Sequence, residues 1–236
     1  MMDPLVRSTG YRVPSYLEAN CAMCHIPGLI NAAWDARLYT PLSKGAIVKG
    51  LLNDTQGDAA NRVVVPGDVA HSMLLTRIGS MRADRMPPVG SSVVETQAVA
   101  LVTAWIAELA GYEDFTDWQI ARFGTTNAPD ALADDDADHD GASNYQEWLT
   151  GTNPELPEDR WGIDAVDPGS ATVGFDRLAN RGFEVQWTTN LAEDGWNILD
   201  TPDNRPFFGA ADQPITVTDP EDDPRQRFYR TSVYEP

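Results

Sequence analysis

At 236 residues, 42% of them hydrophobic, the chain is long enough for one large domain or for two small ones joined by a linker. Its formal charge of -19 lies wholly in the second half, because residues 1–111 hold nine acidic and nine basic side chains. An acidic chain repels phosphates, which disfavours nonspecific binding to nucleic acid or anionic lipid. No apolar run is long enough to span a membrane, and residues 1–4 lack the basic and apolar regions of a signal peptide.

The first predicted element is a helix over residues 15–25, which carries both cysteines of the chain. They stand in Cys21-x-x-Cys24-His25, the pattern of covalent c-type haem attachment. Residues i and i+3 share one face of a helix, so both thiols can bond to one haem while His25 ligates the iron. The motif therefore predicts haem c.

Two other interpretations of the cysteine pair are a redox-active dithiol and half of a zinc site. Zinc would need two more ligands, and His71 and His139 are the only other histidines. Dithiols of the thioredoxin type accompany a βαβ pattern, which this sequence lacks. Both interpretations fit less well than haem.

A second helix is predicted over residues 69–78, with Asp68 as its N-cap. It precedes a proline-stiffened loop, residues 85–90, in which Met86 is the predicted distal ligand of the iron. Fixed proline φ angles lower the entropy cost of holding a ligand, and methionine ligation blocks the iron from small molecules. The alternative distal ligands are Met73, Met81 and His71.

A third helix is predicted over residues 92–111, because Ser92 and Glu95 form a capping-box pattern and apolar residues then recur at helical spacing. This apolar stripe predicts core packing, with Trp105 near the porphyrin. Three arginines cluster near the ligand loop, and we expect them to line a docking edge or to pair with the haem propionates: Arg77, Arg82 and Arg85.

Residues 14–110 resemble a class I, mono-haem cytochrome c domain, similar to haem domains of secreted bacterial quinoprotein-type oxidoreductases. The motifs that carry the resemblance are the haem motif with Pro27-Gly28, residues 34–37, 40–42, 66–68 and 72–74, and Arg85-Met86-Pro87-Pro88. The resemblance implies an all-α fold, thioether links at Cys21 and Cys24, and axial ligation by His25 and Met86. It also implies a redox partner, such as a quinoprotein dehydrogenase or another cytochrome. Because such attachment follows export, it implies a periplasmic or extracellular location and, without an export signal, a fragment or internal domain.

The acidic run in the second half predicts a calcium site. Residues 136–147 fit the pattern D-x-D-x-D-G-x5-E at every fixed position. Calcium needs six or more oxygen ligands, and Gly141 permits the sharp turn that brings them together. The expected ligands are Asp136, Asp138, Asp140, the carbonyl of Ala142, Asn144 and Glu147.

This loop departs from paired EF-hands, since Ser143 replaces the usual aliphatic residue and no second full loop follows. It resembles instead dockerin or thrombospondin type 3 calcium loops. We expect bound calcium to order a connector, with His139 pointing outward, because crowded carboxylates repel one another without a cation. The alternative is a disordered acidic linker.

From about residue 161, short β-rich segments separated by turn residues predict a small antiparallel β-sandwich, which resembles immunoglobulin-like or fibronectin-like modules. The predicted strands lie near residues 171–175, 183–187, 195–199, 215–217 and 227–233. The predicted fold class is thus multidomain: an all-α haem domain over residues 1–112, a helix plus calcium-loop connector over 113–159, and the β-sandwich over 160–236.

The expected function is the relay of single electrons from a partner dehydrogenase to an acceptor, with no catalysis by the chain itself. The alternative is an open iron site, as in a peroxidase-like enzyme or a gas sensor. A bacterial di-haem peroxidase needs a second C-x-x-C-H motif, which the chain lacks. Electron transfer is therefore favoured.

Overall fold

The chain divides into two compact units. The computed structural model describes residues 7–29, 34–89, 92–167, 169–192, 195–206, 208–220 and 226–235. The first unit is Thr9–Asp114, and the second is Phe115–Glu235 together with Arg7 and Ser8. Residues 1–4, examined above for a signal peptide, and Gly90 of the predicted ligand loop lie outside the described residues. The three domain boundaries given above stay predictions.

The first unit contains three α-helices and one 3-10 helix among its described residues. They are α1 (Thr9–Cys21), α2 (Met73–Ile78), α3 (Thr96–Glu108) and the 3-10 helix Leu109–Gly111. The first helix starts six residues before its predicted start and ends at Cys21, the first cysteine of the motif. The second helix, α2, begins after Ser72 rather than after the predicted cap, Asp68. Ser92 does not cap α3, because Glu95 holds the N-cap position and no side chain bonds the helix end.

The core of the first unit forms where α1 packs against α3. Val13 and Leu17 of α1 are buried, as are Trp105 and Ile106 of α3. The buried positions of each helix recur at three- and four-residue spacing, which places them on one face: Gly10, Val13, Pro14 and Leu17 of α1, and Ala98, Leu101, Val102, Trp105 and Ile106 of α3. Removing this apolar surface from water stabilises the unit.

Between α1 and α2 the chain forms isolated backbone bridges and turns. Val48 pairs with Val64 in a parallel bridge. Ser72 is fully buried, and its hydroxyl accepts the Val65 N–H at 2.8 Å and donates to the Asp68 carbonyl at 2.6 Å. Side-chain bonds of this kind satisfy buried backbone groups without helix formation.

The fold class predicted from the sequence, led by an all-α haem domain, is wrong. The described chain is a mixture of five α-helices, one 3-10 helix and six strands in two small antiparallel sheets. The long bridged segment before α2 explains the error in the first unit, since its backbone bonds join residues that no helical periodicity connects.

The helices of the second unit are α4 (Phe115–Phe123) and α5 (Asn144–Thr150). They meet through aromatic side chains, and the ring of Phe115 in α4 lies edge-on to that of Trp148 in α5, with centroids 5.9 Å apart. Trp118 and Trp148 are both buried in this cluster. The cluster fixes the start of α5, on which the acidic loop ends.

The six strands form two three-stranded sheets. They are β1 (Ile163–Asp167), β2 (Thr172–Arg177), β3 (Gly182–Thr188), β4 (Asn197–Ile198), β5 (Gln213–Thr218) and β6 (Phe228–Tyr234). The sheet orders are β1-β2-β5 and β4-β3-β6, antiparallel throughout. One buried cluster draws side chains from both sheets, including Phe175 of β2 and Phe183 of β3.

None of the helices among the described residues has the length and hydropathy needed to cross a bilayer. The longest, α1 and α3, have 13 residues each, against roughly 20 for a membrane span.

Candidate functional site

A cavity of about 260 Å³ in the first unit brings together three of the four residues predicted to hold haem. Cys21, His25 and Met86 all line it. The rest of its wall is mainly apolar. These apolar side chains come from the region between α1 and α2 and from α2 itself: Trp34, Leu51, Leu52, Val63, Met73, Leu74 and Ile78. Asn53, Asp54 and Arg77 complete the lining.

The end of α1 positions the attachment motif. The N–H groups of Cys24 and His25 both donate to the Cys21 carbonyl, at 3.0 and 2.8 Å. The turn thus holds the two cysteines and the histidine together after the helix has ended. Cys24 itself is exposed and is absent from the cavity lining, whereas Cys21 is half-buried.

His25 is held from two sides. Its carbonyl accepts the Ala36 N–H at 2.8 Å, and its ring stacks on Trp34 with centroids 4.1 Å apart. Burial, and next the positive charge of Arg77, lowers the pKa of the imidazole. The neutral ring is the form that binds a metal.

The surroundings of the His25 ring and of the Cys21 thiol bear on which interpretation of the motif fits best. No partner among the described residues bonds the buried Nδ1 of His25. Burial, with a smaller contribution from Cys24, raises the pKa of the Cys21 thiol to about 11. Redox-active dithiols have lowered thiol pKa values. This environment therefore disfavours the dithiol interpretation.

Met86 is tied to α2 by its backbone, since its N–H donates to the Arg77 carbonyl at 3.1 Å. Of the alternative distal ligands, Met73 also lines the cavity, from the buried face of α2. Met81 is half exposed and lies outside the lining. His71 lies outside it as well, and its Nδ1 contacts Asp68 Oδ2 at 2.5 Å.

The acidic loop of the second unit brings three predicted calcium ligands together. Carboxylate oxygens of Asp136, Asp138 and Asp140 lie within 4.8 Å of one another. The Asp140 N–H donates to Asp136 Oδ1 at 3.2 Å and to Asp138 Oδ1 at 3.1 Å. Gly141, with φ at 99°, makes the turn that the sequence pattern requires. Its N–H donates to Asp136 Oδ2 at 3.0 Å.

Glu147 is the most informative residue of the loop. Its side chain is 0% exposed, and neither carboxylate oxygen has a hydrogen-bond partner among the described residues. Burial, and next the carboxylates of Asp138, Asp140 and Asp136, raises the pKa of Glu147 to about 7, against a smaller opposing effect of the nearby Thr152 hydroxyl, which lies outside hydrogen-bond geometry. A buried carboxylate among three others is costly unless a cation compensates it.

Three further buried oxygens lack partners in the described chain: Asp138 Oδ2, Asp140 Oδ2 and Asn144 Oδ1. Carboxylate and amide oxygens are the ligands that calcium prefers. The donor set therefore fits a hard divalent cation. The sixth predicted ligand is the backbone carbonyl of Ala142. The backbone N–H of the same residue donates a hydrogen bond to Asp140 Oδ1 at 2.7 Å.

Several bonds that order this loop were missed from the sequence. Ser143 and Gln146 form a capping box at the start of α5, and the S-x-x-Q spacing was its signal. The Asn144 amide also donates to the carbonyls of Asp130 and Leu132, at 2.7 and 2.8 Å. A predicted ligand thus also anchors the loop.

No protein-family model matches the chain, and no curated protein or solved structure matches it either. Together with the mixed fold, this overturns the resemblance drawn from the sequence. The chain is not identified as a class I cytochrome c domain followed by a dockerin-like or thrombospondin type 3-like loop and an immunoglobulin-like module.

Proposed function

We propose that the first unit carries a covalent c-type haem and transfers single electrons. The observation that supports this most is the cavity lined by Cys21 and His25 together with Met86, which is distant in sequence but meets them at one apolar pocket. The attachment motif uses thiols, which bond to the haem, and an imidazole, which ligates the iron, while a methionine thioether outside the motif is a known second axial ligand. Cys24 lies on the turn beside Cys21 and would supply the second thioether link.

Each residue has a defined task in this proposal. Bound haem supplies a one-electron couple. His25, kept neutral by burial and by Arg77, would be one axial ligand. Met86, fixed by its backbone bond to α2, would be the other. The apolar wall, including Leu52 and Leu74, would exclude water from the site.

Covalent haem attachment in bacteria takes place outside the cytoplasm. The proposal therefore includes a periplasmic or extracellular location, and it excludes a catalytic role for this chain. Its partners would be a dehydrogenase that donates electrons, such as a quinoprotein dehydrogenase, and an acceptor such as another cytochrome.

The test is expression of the full chain in cells that export it and attach c-type haem. Intact-mass analysis should show one haem added to the wild-type chain and none added covalently to a Cys21→Ser, Cys24→Ser double variant. A wild-type chain with two free thiols and no added porphyrin would contradict the proposal.

Carbon monoxide separates electron transfer from the open-site alternative. If Met86 closes the sixth position, the absorption spectrum of the reduced protein should change little when carbon monoxide is added. Ready binding of carbon monoxide would favour a peroxidase-like enzyme or a gas sensor instead.

For the second unit, we propose that the loop over residues 136–147 binds one calcium ion with a structural role. The support is the buried carboxylate of Glu147, which faces three like charges and is offset among the described residues only by a smaller effect of the Thr152 hydroxyl. A cation at this point would join the loop to α5 and so order the start of that helix.

The test compares thermal unfolding in calcium, in magnesium and after treatment with a chelator. At free calcium about 100 times the Kd, binding should stabilise the second unit by about 2.7 kcal/mol. Magnesium should stabilise it less, because it demands a smaller octahedral shell. Identical unfolding in all three conditions would contradict the proposal.

A further inference from the structure

Arg77 is a half-buried basic residue in the wall of this cavity, and one N–H donor of its guanidinium has no acceptor among the described residues. It lies in the last turn of α2 and lines the cavity with Cys21, His25 and Met86. Its Nε is buried, and no acceptor among the described residues bonds it.

The one acidic residue in the described lining does not fill this role. Asp54 Oδ1 accepts the backbone N–H of Gln56 at 2.8 Å, and Asp54 makes no bond to the Arg77 Nε. A buried cationic donor without an acceptor costs more than a neutral one. A carboxylate entering the cavity would remove that cost through a paired N–H···O contact, the geometry that guanidinium offers best.

We propose that Arg77 pairs with a carboxylate of the ligand that fills this cavity. This inference rests on the function proposed above, in which the ligand is haem and the carboxylate is one of its propionates. Arg77 is then a positioning residue with two roles. Its side chain fixes one edge of the ligand, and its carbonyl holds the Met86 N–H at 3.1 Å.

The proposal predicts effects of opposite sign in the unloaded and loaded protein. In the full chain made without haem attachment, Arg77→Met removes an unsatisfied donor, so the thermal midpoint of unfolding should stay level or rise. In the haem-loaded chain the same variant removes the carboxylate's partner, so the midpoint should fall by about 4–8 °C. Arg82, expected from the sequence to share this role, is exposed and does not line the cavity. Arg82→Met is therefore the matched control and should leave both midpoints unchanged.

Arg77→Lys tests the pairing if haem does not attach to the Arg77→Met variant. It keeps the charge but loses the planar fork, so the loaded midpoint should fall between those of the wild type and the methionine variant. Equal losses of stability in the unloaded and loaded forms would assign Arg77 a purely structural role and overturn the proposal. So would a loaded midpoint that neither variant changes.

Intact mass of the loaded wild type distinguishes this inference from the function on which it rests. If haem is attached and the two Arg77 variants behave like Arg82→Met, the pairing is wrong and the haem proposal stands. If the wild type carries no haem, both proposals are overturned.

Discussion

The backbone N–H of Met86 donates to the carbonyl of Arg77 at 3.1 Å. This bond connects the loop that carries the proposed distal ligand to the last turn of α2, a helix whose buried face lines the same cavity. The loop therefore has a defined position before any ligand enters.

Replacing Met86 should open the iron to small molecules. In the haem-loaded protein, Met86→Ala should convert a carbon-monoxide-resistant spectrum into one that responds at once, and it should lower the reduction potential, since thioether ligation raises it. Met81→Ala is the control, because Met81 is half exposed and outside the cavity lining. If Met73→Ala produces the change and Met86→Ala does not, the distal ligand is Met73.

Replacing Glu147 should weaken calcium binding strongly. Glu147→Gln removes a charged oxygen that we place in direct contact with the ion, so affinity should fall by more than the roughly 10- to 100-fold typical of losing an outer-shell partner. Isothermal titration of the full chain measures it. The control is Asp134→Asn, an exposed carboxylate outside the pattern. Equal affinities for the two variants would remove Glu147 from the site.

Asp35 should make the stability of the first unit depend on acid pH. The Arg37 side chain, which bonds the carboxylate with Nε at 2.9 Å and Nη2 at 2.6 Å, lowers the pKa of Asp35 to about 2 against an ordinary 3.8. The charged form is therefore favoured in the folded state. Its contribution is complete above about pH 4 and is lost as the pH falls toward 2.

Asp35→Asn should accordingly lower the free energy of unfolding at pH 7 by about 2 kcal/mol. The difference from the wild type should shrink as the pH falls, which urea unfolding at several pH values measures. Arg37→Lys keeps the positive charge but loses the two-atom contact with the carboxylate. Its free energy of unfolding at pH 7 should lie between those of the wild type and Asp35→Asn. A difference that stays constant down to pH 2 would mean that the carboxylate charge contributes nothing.

Gly182 should not tolerate a side chain. A Cβ built at this position lies 2.8 Å from Cζ of the Phe208 ring, which is buried. Gly182→Ala should therefore destabilise the second unit by about 1–3 kcal/mol, the usual cost of overpacking. Gly162→Ala, where nothing lies within 4 Å, is the matched control for the loss of glycine. Similar unfolding of the two variants would show that the ring moves aside freely.

The chemistry-bearing positions were easier to predict than the fold around them. The attachment motif and the acidic loop are short patterns, in which residue type and spacing carry the information. The structure places Cys21 and His25 of the motif in one cavity with Met86, and it brings Asp136, Asp138 and Asp140 of the loop together. Whether these groups hold haem and calcium stays a prediction.

The architecture of the first unit could not be predicted in the same way. The bond from the Val65 N–H to the Ser72 hydroxyl and the bridge between Val48 and Val64 leave no periodic trace in the sequence. The S-x-x-E spacing at Ser92 suggested a cap that does not form, since α3 begins after Glu95. Local patterns of this kind are weak where tertiary contacts decide the backbone.

Glu147 and Trp148 are consecutive residues of α5, yet one belongs to the acidic loop and the other to the aromatic cluster with Trp118. A change that shifts the backbone of this helical turn would move both side chains. If calcium orders this turn, the tryptophan emission of the chain should change as the ion binds, and a Trp148→Phe variant, measured beside the other six tryptophans, should lose that change.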